Sequence, residues 1–520
     1  MTSTLRHISF RRLGTSEVHQ RFLEDDRDLS EFLGVRATNV EELLQRAPTG
    51  ADRLVPRDEL SDSLAAYAKR FDAPQQVLDS AEALRSDDTH VIVTGQQPGL
   101  LGGPLFCLHK AATAIRTCRE IEAQGGPRCV PLFWNHSDDH DLEEANRAFL
   151  VNSQQEVQRY RLDLTRHNES LRHLSVGRDI EQLLEEVRTL LPETEFHERL
   201  MATLKPRHAD ETFGDLQARL MFEVFGQHGL LVIEPRDLPE SAFAPLEKWW
   251  GRADEVRERV RQTCDDLHDL GVDITLDPAA TMMFSIQGGR REPLADGEKA
   301  PEPRNLSPGV LLRPLWQDAC LPTIGFVVGP GELSYLAAVA PLYRLLDVPQ
   351  PVFLPRASLT LVEPPMQRLL GRFELDLTDL ELSPEQLADK LLKSDDESGG
   401  GDIEDLVEAA KNRLAEDLGA VEGKLKQLDA SMLGALNRAR TKSAEELERL
   451  QTKVRNARQN REGTGIKQLR RLCNSLRPRS RIQERVFGPI TYLNAYGPRL
   501  IDELIAAADP FNIEHGVLEL

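Results

Sequence analysis

Histidines and carboxylates are concentrated in one segment of the chain, WNHSDDHDLEEAN, which extends from Trp134 to Asn146. The apolar sequence CVPLFW that leads into it is typical of a buried strand. Three chemistries suit these side chains: proton transfer by a histidine beside a carboxylate, binding of an ammonium group by carboxylates, or coordination of Zn²⁺ or Mn²⁺. An acidic helix N-terminus without a function would have a similar composition. We predict that Asp139, His140 and Asp141 orient an attacking amine and deprotonate it.

The second candidate segment is rich in glycine and reads VIVTGQQPGLLGGPLFCLHK, from Val91 to Lys110. Its β-branched start predicts an interior strand, its glycines predict a tight turn, and Pro104 predicts the first residue of a helix. A helix N-terminus behind such a turn attracts phosphate or carboxylate, although a turn that binds nothing has the same pattern. The spacing matches neither GxGxxG nor the P-loop. The predicted substrate-binding or nucleotide-binding residues of this segment are Gly95, Gln96, Gln97, Gly99, Gly102, Gly103, His109 and Lys110.

Two shorter segments repeat the arrangement of a strand followed by polar residues. In GPGE, from Gly329 to Glu332, the glutamate is suited to bind a substrate hydroxyl or amine, or only to cap a helix. In PRAS, an arginine after a strand is suited to bind phosphate or carboxylate. The further predicted substrate-binding residues are Trp134, Glu144, Asn146, Arg313, Gly329, Gly331, Glu332, Tyr335, Arg356 and Ser358.

Five short apolar segments alternate with stretches of helical periodicity, which predicts an α/β fold with a doubly wound parallel sheet. Ligands of such sheets bind at the carboxyl ends of the strands. The candidate segments lie at these ends, so we expect them to share one site. The predicted strands begin at His90, Cys129, Leu230, Ile324 and Pro351.

The 520 residues exceed one ordinary core and predict about two to four domains. The intervals between the predicted strands are too long for simple crossovers, which indicates insertions. We predict a helical region at residues 1–88 that packs on the core, a doubly wound core at 89–393 with insertions at about 150–225 and 255–320, an arm at 394–481, and a segment that returns to the core at 482–520.

The predicted arm has the pattern of a coiled coil. Apolar residues from Leu414 to Met432 alternate at spacings of four and three, and a weaker repeat follows after a phase slip. This pattern fits either a continuous rod or a hairpin that turns near Asp429. Before it, the acidic and glycine-rich residues 394–402 predict a hinge.

Composition excludes several classes of protein. The formal net charge of −21 argues against a dedicated nucleic-acid binder, which would have a basic domain. No apolar run reaches the ~18 residues of a membrane span, and the first residues lack the apolar core of a signal peptide, so we expect a cytoplasmic protein. The six cysteines form no CxxC pair and are expected to be reduced. No second group of histidines and cysteines completes a metal site, so none is predicted.

Together these segments resemble the bacillithiol-biosynthesis cysteine ligase family, BshC. The resemblance rests on TGQQPGLLGGPLFCLHK, FWNHSDDHDLEEAN, RPLWQDACLPTIGFVVGPGELSY, VFLPRASLTLVE and YLNAYGP, in this order along nearly the whole chain. It implies a Rossmann-like core with two connecting-peptide insertions, a C-terminal coiled-coil arm and a homodimer formed through that arm. The implied reaction joins L-cysteine to the amino group of glucosaminyl-malate. Because the cysteine carboxylate must be activated, ATP is the expected co-substrate, with Mg²⁺ accompanying it.

The core also resembles class I aminoacyl-tRNA synthetases and pantothenate synthetase, with one departure. Those families place a HIGH-type histidine pair in the loop after the first strand, where this chain reads GLLGGP, and PRAS only loosely matches a KMSKS loop. Two other functions therefore stay open. One is a nucleotidyl-transferring or metal-dependent enzyme on the same fold, and the other is a non-catalytic scaffold that acts through the coiled coil.

Overall fold

The structure is a computed structural model, and it describes residues 4–48, 54–152, 154–164, 168–272, 274, 276–295, 297–397, 403–428 and 433–520. The chain divides into two compact units. The first unit combines Met1–Glu363 with Arg481–Leu520, and the second is Pro364–Ser480. The second unit begins ahead of the arm that was predicted from residue 394, because two helices before that residue pack on its longest helix.

The strands of the described residues are short. In chain order they are β1 (Thr4–Ser9), β2 (His90–Gln96), β3 (Cys129–Asn135), β4 (Ala148–Val151), β5 (Val157–Tyr160), β6 (Leu231–Ile233), β7 (Met283–Gln287), β8 (Arg290–Pro293), β9 (Leu306–Pro308), β10 (Thr323–Val328), β11 (Val352–Pro355), β12 (Leu359–Val362) and β13 (Glu514–Glu519).

Helices connect these strands and build the second unit. In chain order they are α1 (Glu17–Leu23), α2 (Arg27–Leu33), α3 (Val40–Arg46), α4 (Arg57–Arg70), α5 (Gln75–Ala83), α6 (Phe106–Ala123), α7 (Leu142–Ala145), α8 (Ile180–Leu190), α9 (His197–Leu204), α10 (Phe213–Phe225), α11 (Ala244–Trp250), α12 (Ala253–Asp269), α13 (Arg313–Cys320), α14 (Pro330–Val339), α15 (Pro341–Leu345), α16 (Pro364–Phe373), α17 (Pro384–Glu397), α18 (Ile403–Leu428), α19 (Leu433–Leu476), α20 (Ile490–Tyr496) and α21 (Pro498–Ala507).

Five strands form the central sheet, in the order β11-β10-β2-β3-β6, and all their pairings are parallel. These are the five strands predicted from the sequence, so the doubly wound parallel sheet is confirmed. Strands β3 and β10 are buried along their whole length, as continuous apolar runs require when helices cover a sheet. The chain reverses its direction of growth between β2 and β10, and such a switch point opens a crevice at the carboxyl edge.

The N-terminal region, predicted as helical, contains helices α1 to α5 and also the strand β1. This strand pairs antiparallel with β13, and β13 pairs parallel with β12. Segments near the two ends of the chain, Thr4–Ser9 and Glu514–Glu519, therefore meet in one small sheet. A short strand of this kind was not recognised in the sequence because its pairing partner lies at the other end of the chain.

Two further small sheets lie in the long intervals of the core. Strands β4 and β5 form a hairpin between β3 and β6, followed by α8, α9 and α10. Strands β8, β7 and β9 form an antiparallel sheet between β6 and β10. The second of these sheets supplies residues to the site described below.

In the second unit, α18 and α19 pack side by side as a helical hairpin. Lys411 on α18 donates a hydrogen bond to Gln451 on α19 at 2.7 Å, which fits the hairpin and not the continuous rod. Leu414 and Leu447 are half-buried between the two helices. The residues 429–432, which include the predicted turn at Asp429 and also Met432, lie outside the described residues, as do 398–402 of the predicted hinge. No helix of the described ranges is long and apolar enough to cross a membrane.

Candidate active site

A cavity of about 420 Å³ opens at the carboxyl edge of the central sheet, within the first unit. Its volume suits a small organic ligand. The ends of β2 and β3, the sheet β8-β7-β9 and the first turns of α13 and α14 all contribute to its wall. The lining residues are Gly95, Gln96, Gln97, His136, Asp139, Glu144, Ala280, Thr281, Phe284, Arg291, Gly309, Val310, Arg313, Glu332 and Tyr335.

Close packing between β2 and β3 shapes the floor of this cavity. A Cβ atom on Gly95 would lie 2.5 Å from the carbonyl oxygen of Trp134, so glycine is required there. The indole of Trp134 is buried edge-to-face against Trp316, with ring centroids 5.6 Å apart. Trp134, which was predicted to contact substrate, is therefore a core residue.

The loop after β3 is held from behind by a fully buried carboxylate, Glu234. The hydroxyl group of Ser137 donates to it in a short hydrogen bond, Tyr67 donates at 2.7 Å, and the guanidinium of Arg172 lies 3.1 Å away. Burial raises the pKa of Glu234 in spite of Arg172. Because several donors converge on one carboxylate, the loop has a defined position relative to the sheet.

Asp138, the next residue of the loop, also points away from the cavity. Its carboxylate is buried and accepts hydrogen bonds from the guanidinium of Arg236. Nε of Arg236 donates to Oδ1 at 2.9 Å, and Nη2 donates to Oδ2. Burial opposes the negative charge of Asp138, but Arg236 outweighs burial and lowers the pKa of Asp138 to about 2. The pair fixes the loop against the inserted sheet, because Arg236 also donates to the carbonyl oxygen of Leu306 at 2.7 Å.

His136 and Asp139 are the residues of this loop that line the cavity. The ring of His136 is only 4% exposed, and its Nδ1 has no hydrogen-bond partner among the described residues. Burial and the neighbouring Arg313 lower the pKa of His136 to about 3. The Oδ1 atom of Asp139 accepts a hydrogen bond from the backbone N–H of His140 at 2.7 Å and lies 3.7 Å from Nη1 of Arg291.

Two arginines supply the positive charge of the cavity. Arg291, on β8, is nearly buried; it donates to Pro308 O at 3.0 Å and its guanidinium lies 3.8 Å from the ring centroid of Phe284. Arg313, the first residue of α13, donates to the hydroxyl of Tyr335 at 3.0 Å. Within the described part of the chain, no carboxylate lies within 4 Å of the Arg313 guanidinium. Against the effect of burial, Asp139 and Glu332, which lie further away, help to raise the pKa of Arg313, so the guanidinium stays charged without a direct ion pair and can contact an anionic ligand. We call His136, Asp139, Arg291 and Arg313 the cavity cluster.

Lys110 connects the end of β2 to the first turn of α14. Its ammonium group lies 2.6 Å from a carboxylate oxygen of Glu332 and donates to Gly95 O at 2.7 Å and to Gln96 Oε1 at 3.1 Å. Burial lowers the pKa of Lys110, and Glu332 opposes this shift. Glu332 also accepts a hydrogen bond from the backbone N–H of Gly329 at 2.7 Å, so the predicted capping role and a place on the cavity wall occur together.

Of the three residues predicted to be catalytic, the structure brings only Asp139 to the cavity. The Nδ1 atom of His140 lies 3.1 Å from Nη1 of Arg291, which donates to it, and the ring is half-exposed beside Phe284. Asp141 is the N-cap of α7 and accepts a hydrogen bond from the backbone N–H of Glu144 at 3.0 Å. The acidic helix start that we weighed as an alternative thus accounts for Asp141.

After Gln97, the glycine turn that follows β2 packs against the C-terminal segment and does not line the cavity. Helix α6 begins at Phe106 and not at the predicted Pro104, and the N–H of Leu105 donates to Phe487 O at 2.7 Å. A Cβ atom on Gly488 would lie 2.9 Å from the carbonyl oxygen of Gly103. The C-terminal segment therefore covers the place where an anion was expected. The predicted ligand residues that the structure leaves off the cavity wall in this turn are Gly99, Gly102 and Gly103.

His109, Arg356 and Ser358, also predicted to bind substrate, belong to a second group of polar residues. Glu484 is its centre: one oxygen lies 2.7 Å from Nδ1 of His109, and the other lies 2.6 Å from Arg356 and 2.8 Å from the hydroxyl of Ser358. Ser358 also lies 2.9 Å from Nδ1 of His515. All these residues are buried. We call His109, Arg356, Ser358, Glu484 and His515 the buried cluster.

The other predicted ligands have local structural roles. The side chain of Asn146 accepts from Leu162 N and donates to Leu162 O, each at 2.8 Å, so it fastens the chain after β5. Gly331 is on the first turn of α14 without lining the cavity. Glu144, Gln96, Gln97 and Tyr335 do line it, as expected. Among the described residues, no group of three His, Cys, Asp or Glu side chains could hold a metal ion.

Sequence analysis did not single out His136, Arg291 or Glu234. His136 lies inside the segment that predicted the site, but nothing in the pattern favoured it over His140. Arg291 has no local signal, because β8 is far along the chain from the loop that it contacts. Glu234 lies near the end of the predicted third strand, LLVIEP from Leu230 to Pro235, and directly after β6 in the structure; a carboxylate at that edge was a usable signal.

Two family models match this chain. The model for "Bacillithiol biosynthesis BshC, N-terminal Rossmann-like domain" matches residues 4–301 and 298–357. The model for "Bacillithiol biosynthesis BshC, C-terminal coiled-coil domain" matches residues 359–520. Together the two models span nearly the whole chain, which confirms the Rossmann-like core and the coiled-coil region.

The chain is also similar to proteins named "Putative cysteine ligase BshC" in several bacteria. The protein of Koribacter versatilis is 30% identical over 476 residues, covering 87% of this chain and 88% of the relative. The protein of Salinibacter ruber is 29% identical over 488 residues, covering 88% of each. The protein of Bacillus cytotoxicus is 26% identical over 500 residues, covering 89% of this chain and 91% of the relative.

Proposed function

Because this chain belongs to the BshC family of bacillithiol biosynthesis, we propose that it is a cysteine ligase acting on L-cysteine and glucosaminyl-malate. The reaction joins the carboxyl group of cysteine to the amino group of glucosaminyl-malate and forms an amide. The name that the relatives share supports ligation of cysteine. The identity of the acceptor amine comes from the family resemblance of the sequence motifs.

The observation that best supports a ligase acting on such substrates is the guanidinium of Arg313 on the cavity wall, which has no direct ion pair among the described residues. A cation on a cavity wall that is not in contact with a carboxylate favours binding of an anion. Both proposed substrates carry carboxylate groups. Arg313 holds a carboxylate, with Arg291 facing the same space from the inserted sheet.

The amino groups of the substrates need the opposite charge, which the cavity also supplies. Asp139 and Glu332 line it and are suited to bind an ammonium group. Burial and the nearby Asp141 raise the pKa of Glu144. A carboxylate with a raised pKa is the better proton acceptor, so Glu144 takes the proton that the attacking amine loses.

An amide does not form from a free carboxylate and an amine without activation, so we propose ATP as the co-substrate. Two guanidinium groups on the cavity wall, Arg291 and Arg313, are suited to bind phosphate. The ammonium of Lys110 is buried and paired with Glu332, and it acts through that residue. Mg²⁺ would accompany the nucleotide through its phosphates and water, as this ion usually does. What this chain supplies is charge and position for the carboxyl group that reacts.

We also propose that the arm forms a homodimer. Among the side chains of α18 and α19 that the structure describes, three large apolar ones are exposed: Leu406 at 61%, Val421 at 44% and Leu450 at 46%. A second copy of the helical hairpin would bury them as coiled coils do. Sedimentation velocity is expected to give a dimer for the natural protein and a monomer for the Val421→Glu, Leu450→Glu double variant. A natural protein that stays monomeric at micromolar concentration would contradict this proposal.

The ligase function is tested with purified protein, L-cysteine, glucosaminyl-malate and ATP, followed by mass spectrometry. The expected product has the summed mass of the two substrates less one water, and it forms only when ATP is converted to AMP or ADP. Replacing L-cysteine by L-serine, or omitting ATP, should remove the product. If the complete mixture yields no product, the proposed function is wrong.

A further inference from the structure

We propose that His136 acts as a neutral hydrogen-bond donor to the carbonyl oxygen under attack and takes up no proton during the reaction. This role rests on the proposed ligase function. It assigns the histidine of the cavity to stabilisation of the oxyanion, whereas the sequence analysis expected a histidine to act as the base. Three features of the site support this role: the position of the ring, the nitrogen that faces the cavity and the charges that surround it.

The position of His136 is fixed by its neighbours along the chain. Its backbone N–H donates to Gln96 O at 3.0 Å, which extends the pairing of β3 with β2 by one residue. The next two side chains, Ser137 and Asp138, are held by Glu234 and Arg236 on the opposite side of the loop. The ring therefore lines the cavity without a change of backbone conformation.

The two ring nitrogens of His136 have different surroundings. Nδ1 is buried and has neither a donor nor an acceptor beside it among the described residues, so Nε2 is the nitrogen that can reach a ligand. A buried acceptor without a partner is tolerated more often than a buried N–H without one. The neutral ring therefore keeps its proton on Nε2, and this N–H points its hydrogen bond at the ligand.

The charges around the ring keep it neutral. Arg313 on α13 and Arg291 on β8 oppose a positive charge on His136, while Asp139 and Asp138 favour it. Asp138 is already paired with Arg236, which reduces its influence. Burial adds to the effect of the arginines, and the resulting pKa of about 3 leaves the ring uncharged at neutral pH. A neutral imidazole can donate to an oxyanion but is a poor proton acceptor under these conditions.

His136 assists the attack of the acceptor amine on the activated carboxyl group of cysteine. The lone pair of the acceptor amine forms the C–N bond, and the carbonyl π electrons move to oxygen, where the Nε2–H of His136 donates to the developing charge. The carbonyl then re-forms, the bond from carbon to the activating phosphate oxygen breaks, and the amine proton passes to Glu144. One donor to an oxyanion typically contributes about 10²- to 10³-fold to kcat.

A matched pair of variants separates the two ring nitrogens. The amide N–H of His136→Gln reaches the place of Nε2, whereas that of His136→Asn reaches only the place of Nδ1. We expect the Gln variant to keep kcat within ~10-fold of the natural enzyme and the Asn variant to lose ~10²-fold, with KM for both substrates little changed in either. If both variants lose the same activity, and if kcat no longer falls at low pH as it does in the natural enzyme, His136 is a base and the proposal is overturned.

Nitrogen-15 NMR of the imidazole side chains gives a readout that does not need the reaction. The signal missing from the His136→Gln spectrum identifies His136, and we expect it to show the Nε2–H tautomer from pH 5 to 9. A protonated Nδ1, or titration of this signal near neutral pH, would refute the inference even in an active enzyme. If the natural enzyme forms no product while the Nε2–H tautomer is observed, the ligase function fails, and with it the catalytic role of His136.

Discussion

The first unit contains two groups of histidine, arginine and carboxylate, the buried cluster and the cavity cluster, and they differ in how their charges are balanced. In the buried cluster, Arg356 and His109 both face Glu484 at less than 3 Å, and burial of these residues is nearly complete. In the cavity cluster, Arg313 has a tyrosine hydroxyl as its partner and no carboxylate within 4 Å among the described residues.

The comparison teaches that residue type does not distinguish a structural network from a reactive site. Both groups contain the side chains that sequence reasoning associates with ligand binding, and both lie where strands of one fold end. In the buried cluster the charge of Arg356 is paired with Glu484 within the protein, so this interaction contributes to stability, although Nε2 of His109 has no partner among the described residues. In the cavity cluster the interactions are incomplete, so their interaction energy is available to a ligand.

The largest expected effect is on stability, from Glu484→Ala in the buried cluster. Removing this carboxylate leaves Arg356 buried without its counter-charge and His109 without its acceptor. The free energy of unfolding should fall by about 3–5 kcal/mol, measured by urea denaturation. Replacing the exposed Glu514 by alanine serves as the control and should change it by less than ~0.5 kcal/mol. If the Glu484→Ala protein is as stable as the natural one, the buried cluster does not stabilise the fold and the distinction between the two clusters is wrong.

The next effect is on activity, from Arg313→Met in the cavity cluster. We expect kcat/KM to fall ~10²-fold because a charge-assisted contact to substrate is lost. Stability should change little, since Arg313 makes no direct ion pair and loses only its hydrogen bond to Tyr335. The control is Arg11→Met, which removes a surface arginine paired with Glu24. An Arg313→Met enzyme that unfolds more easily than Glu484→Ala would contradict the comparison.

A third prediction concerns pH and one histidine near each cluster, His136 and His19. Burial lowers the pKa of each to about 3, with Arg313 acting on His136 and Arg356 on His19. The unfolded chain, with a pKa near 6.5, binds the proton more readily, so stability is full above about pH 6.5 and falls as the pH is lowered towards 3.

Each of these histidines should contribute a slope of roughly 1 kcal/mol per pH unit in that window. Denaturation curves at pH 7, 6 and 5 measure the slope. The single variants His136→Gln and His19→Leu should each flatten it by a similar amount. A slope that neither variant changes would mean that these rings are not the groups that bind the protons on unfolding.

The smallest expected effect comes from Asp141→Ala, which tests the residue predicted to be catalytic but found as a helix cap. Loss of the cap of α7 should lower the free energy of unfolding by about 1 kcal/mol and leave kcat within ~3-fold of the natural value. Asp139→Asn, two residues earlier in the loop, is the paired variant and should reduce kcat much more. If the Asp141 variant loses as much activity as the Asp139 variant, the assignment of the cavity wall is wrong.

Sequence reasoning located the site better than it chose the residues within it. The segments after the first and second predicted strands both contribute to the cavity, through Gln96, Gln97, Asp139 and Glu144. In each segment the prediction was wrong for residues a little further along the chain: Gly103 packs against the C-terminal segment, and Asp141 caps a helix. Neighbouring loop residues point in different directions, and composition does not record the direction.

By itself, the sequence determined the parallel sheet, the edge at which the polar residues gather, and the family. Apolar runs of strand length that alternate with helices are buried on both faces as the strands of a parallel sheet, and their carboxyl ends then lie at one edge. Only the tertiary structure decided which charges stay unpaired. Glu484 reaches Arg356 from the returning C-terminal segment, and Arg291 reaches the cavity from an inserted sheet. These residues come into contact through packing of segments that are far apart in the sequence, so no local sequence pattern predicts the contacts.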